Sequence, residues 1–328
     1  MTRPVKLAVP AAIIVVAVSM PFVTGPYLLA VARSVLIYMA LAVSWDMLLR
    51  SGQISFGIAG LFGIGAYAAA ISVLRVGVAP ILSIFLGGLF AGLVAFFLGF
   101  VILRLRAVYF SITTLALAEI FRVIVQNWGD LTGGPEGLVL PTLIFKGDTK
   151  ALYWVALAAV FLACAVSAFF RHSRLHFALT AIRNNERSAR SSGVHIFKYL
   201  MIVFVVTSLI QGIVGGIQLQ CYGYASPDSV FDTNYTLLPL AMALLGGIYS
   251  TPGPVLGAVL LGVAAEYLKL KIPYGHLVVY GIIIVLVILL MPEGLYGVYR
   301  RRVKLRSLAQ PRSDFSSPDA AGTGAKHA

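Results

Sequence analysis

Apolar runs of about twenty residues recur along almost all of this 328-residue chain, and one internal stretch interrupts them with a cluster of charge. Roughly twenty apolar residues are what an α-helix needs to cross the hydrocarbon core of a bilayer. Inside that core the backbone must satisfy its own hydrogen bonds, which leaves helices and closed barrels as the available solutions. Barrel strands would read as short segments of alternating hydrophobicity, a pattern the sequence does not show. The balance of residues agrees, with 59% hydrophobic and only 11% charged, where soluble domains carry roughly a quarter charged. Mean hydropathy is +0.93. These features predict an all-α polytopic membrane protein.

The interruption is Arg171–Lys198, RHSRLHFALTAIRNNERSARSSGVHIFK, with six Lys/Arg against the single acid Glu186. Positive loops stay on the cytoplasmic side, so this segment is placed there. Ala178, Ile182 and Ala189 fall on one stripe at helical spacing, and Arg183, Arg187 and Arg190 on another. Glu186 and Arg190, four apart, are spaced to pair. Gly193 stands where a C-cap glycine ends a helix. A short amphipathic helix held between two spans is a shape for docking a cytoplasmic partner.

About ten transmembrane or re-entrant helices are expected: Leu7–Thr24, Leu28–Leu49, Gly52–Leu74, Ala79–Leu103, Val108–Gln126, Ala151–Phe170, Tyr199–Tyr222, Thr236–Ile248, Gly253–Leu270 and Gly275–Met291. Both termini are then cytoplasmic. Arg3/Lys6, Arg50, Arg104/Arg106, Arg171–Lys198 and Arg300–Arg306 share that side, while Asn127–Lys150 and Gly223–Tyr235, net negative, share the other. Thr236–Ile248 is too short to span straight and reads as tilted, broken or re-entrant. The first ~25 residues mimic a signal peptide, but apolar character continues to Leu49, which favours an uncleaved first span. The outer loop Asn127–Lys150, containing LTGGPEG, predicts turns. Residues 1–299 are read as one transmembrane domain and 300–328 as a basic, disordered cytoplasmic tail.

The net charge of +13 does not argue for nucleic acid, because the basic residues concentrate where orientation and anionic lipid account for them. Cys164 and Cys221 lie in or beside apolar spans without a CxxC, and His172, His176 and His195 lack a third ligand, so no metal site is expected.

Two apolar segments are broken by glycine. Gly52, Gly57, Gly60, Gly63 and Gly65 fall within 14 residues, and Gly246, Gly247, Gly253 and Gly257 cluster in the second half. A pair of such segments in corresponding positions points to a translocation path, and the bland alternative is a small-residue packing seam. The path residues expected are Gly52, Gln53, Ser55, Gly57, Gly246 and Gly247, with Glu119 and Arg122, which share one helical face at membrane depth. The alternative for Glu119 and Arg122 is a structural ion pair. Asp46 reads as a structural partner for a nearby arginine, Glu266 and Lys269 as a helix-end pair, and Gln211, Gln218 and Gln220 as glue between helices.

Five stretches together resemble the branched-chain amino acid ABC-transporter permease family, in particular its LivM-like subunits. They are SGQISFGIAGLFGIGAY (51–67), YFSITTLALAEIFR (109–122), WGDLTGGPEGL (128–138), Ala178–Gly193 and LLGGIYSTPGPVLGAVLLG (244–262), followed by PEGLYG at 292–297. Ile58 stands where many relatives have histidine and Ala107 where glycine often precedes the aromatic, departures that bear on cargo rather than membership. The resemblance implies a non-enzymatic membrane subunit of a binding-protein-dependent importer in a bacterial inner membrane. Its partners would be two ATP-binding cassette subunits, a second homologous permease, an extracytoplasmic solute-binding protein and membrane lipid. The stretch with Arg183, Glu186, Arg187, Ala189, Arg190 and Gly193 would be the coupling helix that seats on the ATPase. No cofactor is expected in the chain itself: it has no GxxxxGK[ST], so ATP would be bound by the partner subunits. Cargo would be a branched-chain or similar small amino acid. The alternatives are urea, short amides or aromatic acids, or a stand-alone ion-coupled transporter using Glu119 and Asp46.

Overall fold

A computed structural model describes residues 17–105 and 107–271, together with positions 278, 281, 282, 285 and 294–297. Most of the expected spans Leu7–Thr24 and Gly275–Met291, the arginine at 106 and the tail 300–328 lie outside the described residues.

Residues 17–23 are helical (α1). They are followed by α2 (Pro26–Leu49), α3 (Ile58–Val76), α4 (Pro80–Ile102), α5 (Ala107–Asn127) and the short α6 (Gly129–Thr132). Next come β1 (Leu138–Val139), α7 (Thr149–His172), α8 (Arg174–Asn184), α9 (Glu186–Ser191) and α10 (Ile196–Tyr222). The described part ends with β2 (Tyr224–Ala225), α11 (Pro227–Val230), α12 (Asn234–Gly246) and α13 (Pro252–Lys271). Proline opens α2 and α4 in the first turn, where no backbone donor is needed, and left-handed Gly77 and Gly223 close α3 and α10. Among the described residues, α2, α3, α4, α5, α7 and α10 are long and apolar enough to cross a membrane.

The centre of the bundle is α10, packed on α4, α3 and α2. Small residues set that packing: a Cβ at Gly65 of α3 would overlap the backbone of Gly212 on α10. Without a hydrophobic drive between helices in lipid, such close backbone contact is what holds them. The spanning stretches of α3 and α10 are 78% buried and that of α5 only 28%, so α5 lies at the rim. Phenylalanines 85, 90, 97 and 100 of α4 are exposed, an apolar face suited to lipid. At the bundle end opposite α8 and α9, β1 pairs antiparallel with β2 (Leu138 with Ala225), tying the loop after α5 to the end of α10.

Three expectations need correction. The segment 52–57 is not helical, and the span expected from Gly52 begins at Ile58. The single helix expected up to Gly193 is two, because Asn185 is extended (φ −161°, ψ 107°) and its side chain caps α9 by accepting from the Ser188 N–H. The loop 127–150 contains a strand as well as turns. Asp46 is the structural partner of an arginine, as expected: it pairs with Arg50, which is 5% exposed within the bundle. Thr236–Ile248 does form only a short helix, α12, which contains Pro239 and folds back against α13 as a hairpin.

Candidate functional site: the basic loop and the two broken helices

The first break, 51–57, is partly buried, with Ser51, Ser55 and Gly57 inside and Gly52 and Ile54 exposed, and its backbone groups pair with neighbouring side chains. The Thr114 hydroxyl on α5 accepts from the Phe56 N–H (3.1 Å), and the Ser111 hydroxyl donates to the Ile54 carbonyl (2.6 Å). The Thr236 hydroxyl on α12 accepts from the Ala59 N–H (3.1 Å) and donates to the Phe56 carbonyl (3.3 Å). Trp45 Nε1 of α2 donates to the Ser55 carbonyl, and Ser55 Oγ accepts from the Gly57 N–H. Irregular backbone survives at membrane depth only where protein satisfies it, and here three helices do so. Beside the break, a narrow crevice with room for about one water molecule is lined by Ser55, Leu61, Ile102, Thr114, Phe121 and Phe204 among others. Its polarity is limited to hydroxyls and backbone at one end.

The second break is the turn between α12 and α13. Gly246, Gly253 and Gly257 let the two helices touch backbone to backbone, so that a Cβ at Gly246 would overlap the Gly253 carbonyl. Gly247 caps α12 at φ 113°, and its carbonyl accepts from Ser250 Oγ (3.1 Å). The turn is held to the bundle at two points. Asp46 Oδ1 accepts from the Tyr249 N–H (2.5 Å), and Thr251 Oγ1 lies 2.9 Å from Ser167 Oγ on α7. Arg50 joins these points: it donates to Asp46 Oδ2 through Nη2 (2.7 Å) and Nε (3.0 Å), and to Ser167 Oγ through Nη2 (2.8 Å). Asp46 is fully buried.

The basic loop meets both breaks through one residue. Arg183 of α8 lays its guanidinium 3.9 Å from the centroid of the Tyr249 ring. Its Cγ lies where it would sit 3.3 Å from a Cβ on Gly52, which adopts φ +86°. Ala178, Ile182 and Ala189 are buried as the stripe requires, whereas Arg187 and Arg190 face outward. Arg183 therefore leaves the face expected to be shared with Arg187 and Arg190. Glu186 pairs with Arg190 at 3.6 Å. Gly193 ends α9 at φ +80°, with the Val194 N–H donating to the Ala189 carbonyl. His176 on α8 is pushed below the usual imidazole range by partial burial and then by Arg50, Arg171 and Arg183.

Glu119 and Arg122 lie at the other end of the bundle, on the exposed side of α5. They pair at 3.4 Å, but the stronger partner of Arg122 is Asp228 of α11, at 2.6 Å, and Gln126 also donates to that carboxylate (3.3 Å). Gly60 and Gly63 turn out to be packing positions, against Ala118 and the Phe231 ring. The glutamines of α10 act across helices: Gln211 donates to Ser44 (3.3 Å), Gln218 to the Tyr235 hydroxyl (2.7 Å), and Gln220 to Ser83 (3.4 Å). Glu266 pairs with Lys269 at 2.9 Å.

A family model described as branched-chain amino acid transport system, permease component, matches residues 27–288. The chain belongs to that family. The match takes in both breaks, the basic loop and the α5 cluster. This permease is 30% identical to the high-affinity branched-chain amino acid transport system permease protein LivM of Salmonella typhimurium, over 90% of its own length and 76% of that protein's. Identity and coverage are the same for LivM of Escherichia coli K12. It is also 28% identical to the LivH permease of Salmonella typhimurium, over 53% of this chain and 60% of that one. No solved structure matches significantly.

Sequence reasoning missed several residues of the permease's site: Tyr249, Ser167 and Thr251 around the second break, Thr114 and Thr236 at the first, and Asp228 beside Arg122. Tyr249 carried a usable signal, standing inside a Gly/Pro cluster as an aromatic with no apolar stripe to join.

Proposed function

We propose that this permease subunit works in a binding-protein-dependent ABC importer for branched-chain or similar small amino acids. Two separate ATPase subunits would supply the energy and a second, homologous permease would complete the path. The subunit would be a multi-pass protein of a bacterial inner membrane, with about ten crossings, both termini inside and no catalytic role of its own. The observation that carries this reading is the position of α8 and α9. Their outward face is polar, with Arg187, Arg190 and the Gly193 cap free for a soluble partner, while Arg183 on the inward side touches both broken helices. A push on this loop would reach the two places where the bundle is least regular. The similarity to LivM and LivH supports the same cargo class and the permease pair.

The test uses the importer assembled with its ATPase and binding protein in proteoliposomes. Gly193→Val forces a β-branched residue into a left-handed position and should misplace α9. ATP hydrolysis should persist while leucine uptake falls on the order of tenfold, about 1.4 kcal/mol of lost coupling. A cysteine at Ser191 should label only from the ATPase side. Normal uptake in the Gly193 variant, or labelling from the opposite side, would overturn the reading.

A further inference from the structure

We infer that Tyr249 is the joint through which the basic loop moves the α12–α13 hairpin, with Arg183 as the moving contact and the Asp46–Arg50 pair as its fixed anchor. This rests on the importer reading above and adds the residues that would transmit the motion. Tyr249 has two attachments of different character. Its backbone N–H is bound to Asp46, a carboxylate that is fully buried and doubly bonded by Arg50. Its ring, 44% exposed, stacks under the guanidinium of Arg183. A buried ion pair missing one partner leaves an uncompensated charge, so the Asp46 side is costly to break. A ring–guanidinium contact near the surface is weaker and tolerates sliding, so the Arg183 side is where relative motion is cheap.

The backbone at Tyr249 fits a residue held from two sides. Its φ is 61°, left-handed for a bulky aromatic, and the tyrosine stands in a stretch where glycine would fit without strain. What tyrosine adds over glycine there is a ring for Arg183 to grip. The same arginine borders Gly52 at the first break, so a shift of α8 displaces the first break and the hairpin turn together. Thr251 and Ser167 give the turn a second tether to α7, on the far side of Arg50 from Tyr249. The hairpin is thus pinned at its tip to α2 and α7 and gripped at one side chain by α8.

The experiment measures leucine uptake and ATP hydrolysis by the full importer in proteoliposomes, with assembly checked by co-purification. Tyr249→Leu and Arg183→Gln should each lower uptake on the order of tenfold while ATP hydrolysis stays within about twofold. The double variant should be no worse than either single, since both remove one contact. Tyr249→Phe should retain uptake, because the ring face is kept. Should Tyr249→Leu fail to assemble, phenylalanines of increasing fluorination at position 249 keep the shape while weakening the ring quadrupole. Uptake should fall stepwise along that series. Uptake that is flat across the series, or a Tyr249→Phe variant as poor as Tyr249→Leu, would overturn the joint. Uncoupling by Gly193→Val together with normal behaviour of Tyr249→Leu would sink the joint and leave the docking reading standing. Absence of ATP-dependent uptake by the unaltered importer would sink the docking reading itself.

Discussion

Asp46 and Arg50 show how one buried charge pair organises a corner of the permease. The carboxylate is fully buried, yet both of its oxygens are bonded: two donors from Arg50 on one, the Tyr249 N–H on the other. Removing one charge of such a pair costs about 3–5 kcal/mol, because the other stays behind without compensation. Arg50→Met should therefore lower stability by an amount in that range, read as thermal unfolding of the detergent-solubilised protein. Adding Asp46→Asn removes the stranded charge and keeps an amide oxygen for the Tyr249 N–H. The double variant should recover a large part of the loss. A double variant as unstable as Arg50→Met alone would show that the pair's role is not electrostatic.

At the scale of elements, the break before α3 is a seam made by three hydroxyls from three places. Ser55 belongs to the break itself, Thr114 to α5 and Thr236 to α12, and each accepts from a backbone N–H near the start of α3. Thr236→Val keeps the shape and strands the Ala59 N–H, at a cost of about 1–3 kcal/mol. Thr236→Ser should be nearly neutral. Equal melting of the Val and Ser variants would mean that the bond carries no weight. The spans around this seam were legible in the sequence: the apolar run 151–170 became α7 at Thr149–His172, and 199–222 became α10 at Ile196–Tyr222. Apolar run length is a local property, and the bilayer thickness fixes what it means. The Glu186–Arg190 pair and the Gly193 cap are local too, and both were readable. The break at Asn185 was also local but was passed over, although asparagine before Glu186 is an N-cap signal. The Tyr249–Asp46 bond joins residues 203 apart and the Arg122–Asp228 bond residues 106 apart. No periodicity encodes such a meeting, so the Tyr249 contacts and the α5 ion cluster came only with the fold.

Across the molecule, the most exposed of the described spans is the one with charges on its outward face. Glu119 stands on α5 among exposed Ile112, Leu115, Ile120 and Val123, and with Arg122 and Asp228 it forms a cluster of two acids and one base. Eight residues at 1.5 Å each put Glu119 roughly 12 Å from the C-terminal end of α5. An ionisable group facing hydrocarbon at depth costs a few kcal/mol, so such residues are covered by protein or line a wet path. α4 offers the opposite surface, with phenylalanines and leucines and no charge along its exposed side. In the proposed importer α4 is then expected to face lipid, and α5 to face the second permease across a shared path. Single cysteines at Val123 and Leu115, in a chain lacking Cys164 and Cys221, should cross-link to the second permease with a short bifunctional maleimide. Cysteines at Leu89 and Phe97 on α4 should instead react with a lipid-soluble label and form no cross-link. The reverse pattern would place the partner on α4 and leave the α5 charges facing the bilayer, which their energetic cost argues against. Glu119→Leu separates the two arrangements by function: it should impair uptake if α5 borders the path, and should leave uptake unchanged or improve folding if α5 faces lipid.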